Sequence, residues 1–439
     1  MSTTSTRHHV LEIRKLVTIA AIAVASLGSE GARLAAAPHG PDIVVTTAAE
    51  LAAALVPANE GARILVTAGE YDVSTALMVP DGATLEGEGV MTFDGSGLPG
   101  GFEVSGRTLI RATAALAGDI LTLGDGVTVR NLAIEDVADR SGNLIAVLSR
   151  APGDSVSARV DECELINPNP NGIAPPGPTG ASLVVVTRNP NLGQDPPAHE
   201  GSNLSVRMAR SVVHAAGGGA GVFSINFASQ SSTDLDLERN VIGGGVISSG
   251  GVSRPEAVTG SRVRIDSRRN LYVNESVEAG TLGWNLLGGA GSPAFPTAPS
   301  TSNVLRLHSK DDTIDGFFSG ILARGGQRFF AESGPSSSNV IDMQLIGLHI
   351  RTAADPSASD LALFGALSAA PGVSPGDDNV VRVLMRQCSG SGLRLNEYAD
   401  SIGGGTGNRL EITGNARAFS KTNEGLEPPP PAEFFIGGR

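Results

Sequence analysis

A five-residue pattern recurs along most of the chain. It consists of a turn-forming residue, any residue, an apolar residue, any residue and a second apolar residue. It begins at nine positions, which are Asp125, Asp154, Ser202, Thr233, Ser261, Asn303, Asn339, Asn379 and Asn408. The intervals between these positions run from 28 to 48 residues. A short strand that returns at this spacing behind a turn residue predicts a solenoid, in which each coil stacks on the previous one.

The apolar positions of the pattern predict the interior of the coils. They are β-branched or aliphatic, as in Val263 and Ile265, and such residues suit a narrow interior where neighbouring coils pack like on like. A second strand often follows, commonly opened by glycine, as in 221–223 and 320–322. The length between the two strands varies freely, which a solenoid tolerates because insertions bulge outward as loops.

The region before the repeats contributes a second indication of the fold. The segment Thr47–Glu50 is a capping box, which predicts a short helix at 48–55 that Pro57 stops. The segment ILVTAGEYDVSTALMVPDGATLEGEG then alternates strands with tight turns up to residue 89. The helix, this segment and the Asn-led coils together resemble the right-handed parallel β-helix proteins of the pectin lyase-like superfamily, over roughly residues 42–420. The resemblance implies an all-β, right-handed, single-stranded parallel β-helix of about ten coils with an N-terminal capping helix.

The chain divides into three predicted parts. Residues 1–37 read as a signal peptide, because basic residues precede the apolar run 16–27 and small residues offer cleavage sites between 25 and 37. A run this short does not span a bilayer. Residues 38–420 form the β-helix, and residues 421–439 form a proline-rich tail. This organisation predicts an exported protein that is secreted, periplasmic or held at the cell surface.

The net charge limits the classes of molecule that the chain can bind, and the positions of its cysteines indicate whether they form a disulfide. The net charge of −13 disfavours nucleic acid and anionic membranes as partners, and no stable membrane span is predicted. The two cysteines, Cys163 and Cys388, take the same place in distant coils. They are therefore expected to be buried, unpaired thiols rather than a disulfide.

The resemblance does not assign an activity, because the superfamily includes lyases, hydrolases, epimerases and proteins without known catalysis. Polygalacturonase-type hydrolases carry Asn-Thr-Asp, Asp-Asp, Gly-His-Gly and Arg-Ile-Lys motifs. This chain has Asp311-Asp312 but Ser232-Thr233-Asp234 in place of the first motif, and it lacks the other two. Pectate lyases carry a Trp-Ile-Asp-His segment, whereas the single Trp284 lies in a different context. An ordinary pectinase is therefore not expected.

The outward positions of the repeated strand suggest a binding face. Charges of opposite sign are concentrated in its middle coils, where the candidate substrate-binding residues are Asp234, Asp236, Arg262, Arg264, Arg306 and Asp342. Arginine can neutralise the carboxylate of a uronic acid through two hydrogen bonds. The alternative is that opposite charges on a solvated sheet simply pair and keep the face soluble.

The densest ionisable cluster follows the strand 305–307. Lys310, Asp311 and Asp312 are the candidate catalytic residues, with the lysine as a base for β-elimination. A solvated turn containing an Asp–Lys pair is the alternative. No cofactor is firmly implied, although carboxylates near this face make Ca²⁺ possible. His199, His214 and His349 are isolated in the sequence, and their spacing does not suggest a zinc site.

These features predict an exported β-helix protein that binds or processes an extracellular, acidic polysaccharide. If the protein is an enzyme, it would be a polysaccharide lyase or a glycoside hydrolase. The alternative is a non-catalytic structural or adhesive protein of the cell surface. The low aromatic content, 4% of the chain, favours that alternative, because sugar-binding clefts usually offer aromatic platforms. Catalysis, substrate and oligomeric state stay open at this level.

Overall fold

The computed structural model describes residues 42–421, apart from 104–105, 139, 141, 169–179, 188–198, 216–219, 254–255, 276–280, 292–297, 329–332, 354–357, 369–373, 375, 391–393, 399–405 and 415–419. The predicted signal peptide and all of the predicted tail after Lys421 lie outside the described residues. The domain boundaries at 37 and 420 therefore stay predictions.

Three long sheets contain most of the described strands. Sheet 1 has twelve strands, paired in the order Asp42–Val45, Arg63–Val66, Thr84–Gly87, Val127–Arg130, Ser155–Asp161, Asn203–Ala209, Ser232–Glu238, Arg262–Arg268, Val304–Lys310, Val340–Ile346, Val380–Arg386 and Arg409–Gly414. Sheet 2 has ten, in the order Gly69–Val73, Thr108–Ala112, Ala133–Glu135, Glu164–Ile166, Val212–His214, Val241–Gly243, Leu271–Val273, Thr313–Asp315, His349–Arg351 and Ser389–Gly390.

Sheet 3 completes each coil. Its eleven consecutive strands are Leu77–Val79, Leu121–Leu123, Ile145–Leu148, Leu183–Val186, Val222–Ile225, Val246–Ser249, Leu282–Gly291, Ser319–Arg328, Ser359–Ser368, Arg394–Tyr398 and Ser420–Lys421, and Val252–Ser253 pairs beside them. A small sheet joins Val258–Thr259, Ser300–Thr301 and Ser336–Ser337, and a hairpin joins Met91–Phe93 to Pro99–Phe102.

The pairing defines the fold. Every strand pair in the three long sheets is parallel, for example Arg262–Arg268 with Val304–Lys310, and among the described strands only the small hairpin is antiparallel. The chain passes from sheet 1 to sheet 2 to sheet 3 and then returns to sheet 1 one strand further on. The predicted parallel β-helix is confirmed.

The interior is a single apolar column. Strands of sheet 1 alternate exposed and buried residues, so that Val263 and Ile265 are 1% and 2% exposed between outward-facing arginines. The predicted inward residues from Val127 to Val383 are all buried, which confirms their assignment. Tyr272 and Trp284 pack edge to face inside the column, with their ring centroids 5.2 Å apart.

Two repeats are out of phase with the prediction by two residues. Val127 of the Asp125 repeat pairs with Ala158 and not with Val156, and the Thr233 repeat is shifted in the same way. The pattern places a turn residue at Thr233, but that residue is 1% exposed and pairs with the inward Val263 of the next strand. Its Oγ1 donates a hydrogen bond of 2.7 Å to Asn226 Oδ1, which makes a polar residue acceptable inside. The repeat at this coil therefore begins two residues earlier, at Ser231.

The predicted helix is found at Ala48–Ala54. The side chain of Thr47 accepts a hydrogen bond from the backbone N–H of Glu50, whose carboxylate accepts one from the backbone N–H of Thr47. This reciprocal capping satisfies two N–H groups that the first turn leaves unpaired. Leu51 and Ala54 are the buried residues of the helix and belong to the apolar column.

Two corners of the coil contain buried polar ladders. The corner between sheets 1 and 2 contains the first ladder, which consists of Ser211, Asn240, Asn270 and Asp312. The corner before sheet 1 contains the second ladder, which consists of Ser231, Ser261, Asn303, Asn339, Asn379 and Asn408. In both, the side-chain oxygen of one rung accepts a hydrogen bond from the backbone N–H of the rung in the preceding coil.

Candidate functional site

The predicted binding residues lie on the outer face of sheet 1. Asp234, Arg264, Arg306 and Asp342 are direct register partners on four adjacent strands. Two arginines thus stand side by side at the centre of the row, one strand spacing of about 4.8 Å apart at the backbone. Arg262 lies on the same outer face, at the start of the strand that carries Arg264.

The charges in this row are only partly neutralised. Arg264 Nη2 lies 2.7 Å from the carboxylate of Asp266 on its own strand, and its side chain is 63% exposed. Within the described part of the chain, Arg262 and Arg306 are exposed and form no ion pair. Of the three arginines in this region, Arg264 is therefore paired with Asp266, whereas Arg262 and Arg306 have no ion pair among the described residues.

Asp236 lies outside the central row. Because of the two-residue phase shift at this coil, it is opposite Asp266 rather than Arg264. Its carboxylate lies 2.6 Å from Arg268 Nη2 and 3.8 Å from Arg207 Nε, so it already has two cationic partners. The structure thus groups five of the six predicted binding residues around the arginine pair and separates the sixth.

The three predicted catalytic residues are not brought together. The strand Val304–Lys310 is longer than expected, so Lys310 faces outward at its end while Asp311 occupies the following corner with a positive φ of 57°. Asp312 turns inward, is 1% exposed and is the last rung of the first ladder. Its role as a catalytic residue stays a prediction, but its carboxylate lies inside the coil.

Burial has a clear electrostatic effect on Asp312. The loss of hydration raises its pKa to about 6, although Ser309 and Asn270 donate hydrogen bonds that favour the charged form. Ser309 Oγ is 2.6 Å from Oδ2, and the backbone nitrogen of Asn270 is 2.7 Å from Oδ1. Asp312 is therefore a structural residue whose charged form is disfavoured by its burial.

A second group of charges, on the outer face of sheet 2, could not be foreseen from the sequence. His214 ends the strand Val212–His214, and its Nδ1 lies 3.0 Å from the carboxylate of Glu275. Its Nε2 lies 3.7 Å from the carboxylate of Glu164 on the neighbouring strand, which also has Arg107 at 3.4 Å. The second carboxylate oxygen of Glu275 accepts the backbone N–H of Ala215 at 2.8 Å.

The cluster shifts the protonation of its members. Glu164 and Glu275 together raise the pKa of His214 to about 9, so the imidazole is cationic at neutral pH. Burial alone would raise the pKa of Glu164, but the neighbouring His214 and the charge of Arg107 outweigh it, and the pKa is lowered. At neutral pH the cluster contains two cations and two anions in a half-buried position.

A glycine makes this arrangement possible. Glu275 follows the strand Leu271–Val273, two strands away from His214, and it reaches back across Gly243. A Cβ at position 243 would lie 2.5 Å from Glu275 Oε2. In the sequence His214 and Glu275 are 61 residues apart, and only a correct coil register brings them together.

Neither group has the composition of a metal centre. Among the residues that the structure describes, no group of three or more His, Cys, Asp or Glu side chains could hold a metal ion, and the Ca²⁺ expectation stays untested. Both cysteines are free and buried, as predicted. Within the same described residues, no helix is both long enough and apolar enough to cross a membrane.

Comparisons with known proteins show backbone similarity only. No family model and no curated protein matches the chain. Among solved structures, it is similar to the A-module of the Azotobacter vinelandii mannuronan C-5 epimerase AlgE6, with 11% identity, 85% of this chain and 97% of that chain covered, and a TM-score of 0.36. The AlgE4 A-module of the same bacterium is 13% identical, with 84% of this chain and 100% of that chain covered and a TM-score of 0.22. ORF18 of Geobacillus virus E2 is 12% identical, with 78% of this chain and 54% of that chain covered and a TM-score of 0.28. At these values the similarity assigns no residue a role in this chain.

Proposed function

We propose that this β-helix protein binds an acidic polysaccharide across the outer face of sheet 1. The observation that supports the proposal is the direct pairing of Arg264 with Arg306 on adjacent strands. Like charges opposite each other destabilise a sheet unless an anion lies between them. Both side chains are exposed, and a carboxylate of a sugar acid is the anion that a guanidinium binds in bidentate fashion.

The flanking residues fit a chain that runs across the strands. Arg262 adds a third cation at the edge of the row, while Asp234 and Asp342 stand on the outer sides of the arginine pair. Carboxylates in these positions accept hydrogen bonds from sugar hydroxyls and repel the carboxylate of a misplaced unit. Because the whole protein is acidic, binding is confined to this row and weakens with salt.

The proposal extends to location and architecture. It places the mature protein outside the cytoplasm after loss of a signal peptide within residues 1–37, as a right-handed β-helix of about ten coils. The helix Ala48–Ala54 would cover the first coil, where an open end would otherwise expose strand edges and apolar side chains. Its two buried residues in the apolar column support this assignment.

The test compares two double variants by calorimetry with polygalacturonate, alginate and neutral dextran. We expect the wild-type chain to bind an acidic polymer and not dextran. Arg264→Gln/Arg306→Gln should weaken binding at least tenfold, since each charged hydrogen-bonded contact contributes about 1.5–3 kcal/mol. Arg150→Gln/Arg351→Gln makes the same charge change away from sheet 1 and should leave affinity unchanged.

Two results would contradict the binding proposal. One is wild-type protein that binds none of the acidic polymers, which would favour the structural or adhesive alternative. The other is an Arg264→Gln/Arg306→Gln protein that stays folded and binds as tightly as the control variant. Removal of one cation pair from an exposed sheet should not lower the melting temperature, so loss of binding would not reflect unfolding.

A second candidate function, chemical processing of the polymer, is favoured by the His214 cluster. The imidazolium can donate a proton to a leaving oxygen, and a neighbouring glutamate can accept one, which are the two roles that a lyase requires. Arg107 supplies a cation for a substrate carboxylate. Formation of unsaturated ends, read from their ultraviolet absorbance, should be abolished in His214→Gln. If the wild-type protein produces such ends and His214→Gln produces them equally fast, this assignment is wrong.

A further inference from the structure

From the strand Ile145–Leu148 to the strand Ser359–Ser368, the outer face of sheet 3 contains buried apolar clusters, in contrast to the outer faces of the other two sheets. On the strand Ser319–Arg328, Ile321 and Ala323 belong to the interior column, while Leu322 between them belongs to a separate outer cluster. Two such outer clusters occur, and their members include Phe223, Leu287, Ala290, Leu322, Phe364 and Leu367. A charged side chain on this face is therefore surrounded by hydrocarbon.

Arg324 is such a side chain. It follows Ala323 and faces outward, and its direct register partners are Leu287 on one side and Phe364 on the other. It is only 4% exposed, and its two partners are 4% and 5% exposed. A guanidinium buried in this way loses its hydration and requires compensation from an anion or from several hydrogen bonds.

Within the described residues that compensation is nearly absent. Arg324 Nη2 donates a hydrogen bond to the amide oxygen of Asn285, but Nε has no partner and no carboxylate forms an ion pair with the group. Burial alone lowers the pKa of Arg324 to about 9. Arg140, which is as deeply buried, shows the usual solution, because it donates to both carboxylate oxygens of Asp136.

A second unpaired polar group lies on the same strand. Gln327 is 1% exposed and is opposite Ala290 and Leu367, so it faces the same outer clusters as Arg324. Its Oε1 has no hydrogen-bond partner among the described residues. Since the oxygen and nitrogen of a side-chain amide are assigned from their partners, this amide can equally present its NH₂ group to an acceptor.

We propose that Arg324 forms, with Asn285 and Gln327, a binding site for a small monoanionic carboxylate with an apolar body. One negative charge neutralises the guanidinium, and the two carboxylate oxygens match its fork of N–H groups. Leu287 and Phe364 border the site and offer no partners for hydroxyl groups, so a hydroxylated sugar acid would leave polar atoms unpaired there. This site is independent of the proposed glycan face on sheet 1.

The test uses hexanoate as the probe and follows the melting temperature of the full chain, together with calorimetric titration. Hexanoate should raise the melting temperature saturably, by at least about 2 °C, since a ligand that binds only the folded state stabilises it. Potassium chloride and inorganic phosphate at matched ionic strength should not. Arg351→Met, which removes an exposed arginine on sheet 2, should respond to hexanoate like the wild-type protein.

Two variants test the role of Arg324, one by removing its guanidinium and the other by giving the guanidinium a carboxylate partner. Arg324→Met removes the cation and should abolish the response to hexanoate. Asn285→Asp places a carboxylate against the guanidinium, so it should raise the melting temperature without ligand and also abolish the response. If Arg324→Met does not fold, Asn285→Asp decides alone.

Three results would overturn the proposal. The first is the absence of any hexanoate response in the wild-type protein. The second is an equal rise in melting temperature with potassium chloride or phosphate, which would show that the site does not prefer a carboxylate. The third is an Asn285→Asp protein that melts at a lower temperature without ligand, or that binds hexanoate as the wild-type protein does.

Discussion

The first ladder and the second ladder satisfy the same kind of buried backbone N–H group, but only the first ends in a carboxylate. In the second ladder Asn339, Asn379 and Asn408 each accept two hydrogen bonds at Oδ1 from the asparagine of the rung before, and Asn303 accepts one, from the backbone N–H of Ser261. In the first ladder Asn240 accepts one such bond, from Ser211, Asn270 accepts two from Asn240, and Asp312 accepts two from Asn270 and closes the series. The rung position in the next coil is the apolar Leu348.

The difference shows which hydrogen-bonding groups a side chain needs if it is to bond to the rungs on both sides of it. An asparagine accepts at Oδ1 and donates at Nδ2, so it can be bonded by the preceding rung and can bond to the following one. The side chain of an ionised aspartate only accepts, so past Asp312 only its backbone N–H could bond to a following rung, and Leu348 offers no side-chain acceptor there. The neutral ladder can therefore be extended coil after coil, whereas the charged rung ends the series and carries a desolvation cost that the others do not.

The largest effect is expected from a break in the neutral ladder. Asn339→Leu removes the acceptor of the Asn303 backbone and side chain and the donor to Asn379, all of them buried. Unsatisfied buried groups cost about 1–3 kcal/mol each, so we expect a loss of about 3–4 kcal/mol in unfolding free energy. Urea denaturation followed by circular dichroism measures it.

The matched control for this break is Gln344→Leu, which also replaces a side-chain amide by leucine, at an exposed position of the strand Val340–Ile346 that Asn339 precedes. We expect it to alter the unfolding free energy by less than about 0.5 kcal/mol, as surface substitutions usually do. A loss in Asn339→Leu no larger than that of the control would show that the second ladder contributes little to stability.

The next effect should be a gain from neutralising the charged rung. The pKa of Asp312 is about 6 in the folded chain and about 3.9 when unfolded. The folded state therefore binds the proton more tightly, and stability is lost as the pH rises from about 4 through 6. Asp312→Asn lacks this loss and can donate from Nδ2 to Ser309 Oγ, as Asn339 donates to Ser336. We expect a gain of about 2–3 kcal/mol at pH 7.

The pH dependence separates this explanation from a general improvement in packing. Melting temperatures of the wild-type protein and Asp312→Asn should converge near pH 4 and diverge up to pH 7. A constant difference between the two proteins over this range, or a less stable Asp312→Asn protein at pH 7, would refute the assigned protonation behaviour.

The same ladders show how far the sequence could be used to predict the structure. The pattern located the strands and their inward residues, because alternation of apolar residues is a local property that the fold keeps. It marked Asn303, Asn339 and Asn379 as turn residues, but their hydrogen bonds run between coils 36 to 40 residues apart. Such bonds depend on register, and a shift of two residues, as at Thr233, preserves the alternation while changing every partner.

The candidate sites have the same limitation. The charged row of sheet 1 was predictable as a face, but the opposition of Arg264 to Arg306 required the register. His214 looked isolated because its partners come from other coils, and Arg324 gave no signal because its surroundings form across three strands. The corners that mark this register, where Arg239, Arg269 and Asp311 adopt positive φ before successive rungs, share no residue type that a sequence pattern could detect.

The smallest and most discriminating prediction compares Ser309 and Ser336, two of the serines that lie three residues before a rung. Ser309 Oγ donates to the carboxylate of Asp312 at 2.6 Å, whereas Ser336 Oγ accepts from the amide of Asn339 at 3.0 Å. Hydrogen bonds to charged groups contribute about 1.5–3 kcal/mol and neutral ones about 1 kcal/mol. At pH 7 Ser309→Ala should therefore cost about 1 kcal/mol more than Ser336→Ala, measured by urea denaturation.

That excess should itself depend on pH. Once Asp312 is protonated, near pH 4, Ser309 faces a neutral group and the two substitutions should cost the same. Ser309→Ala also removes a donor that favours the charged form, so the pKa of Asp312 should rise further above 6 and the loss of stability should continue to a higher pH. Equal costs at both pH values would mean that the rung at 312 is neutral throughout, and the contrast between the ladders would then be one of geometry and not of charge.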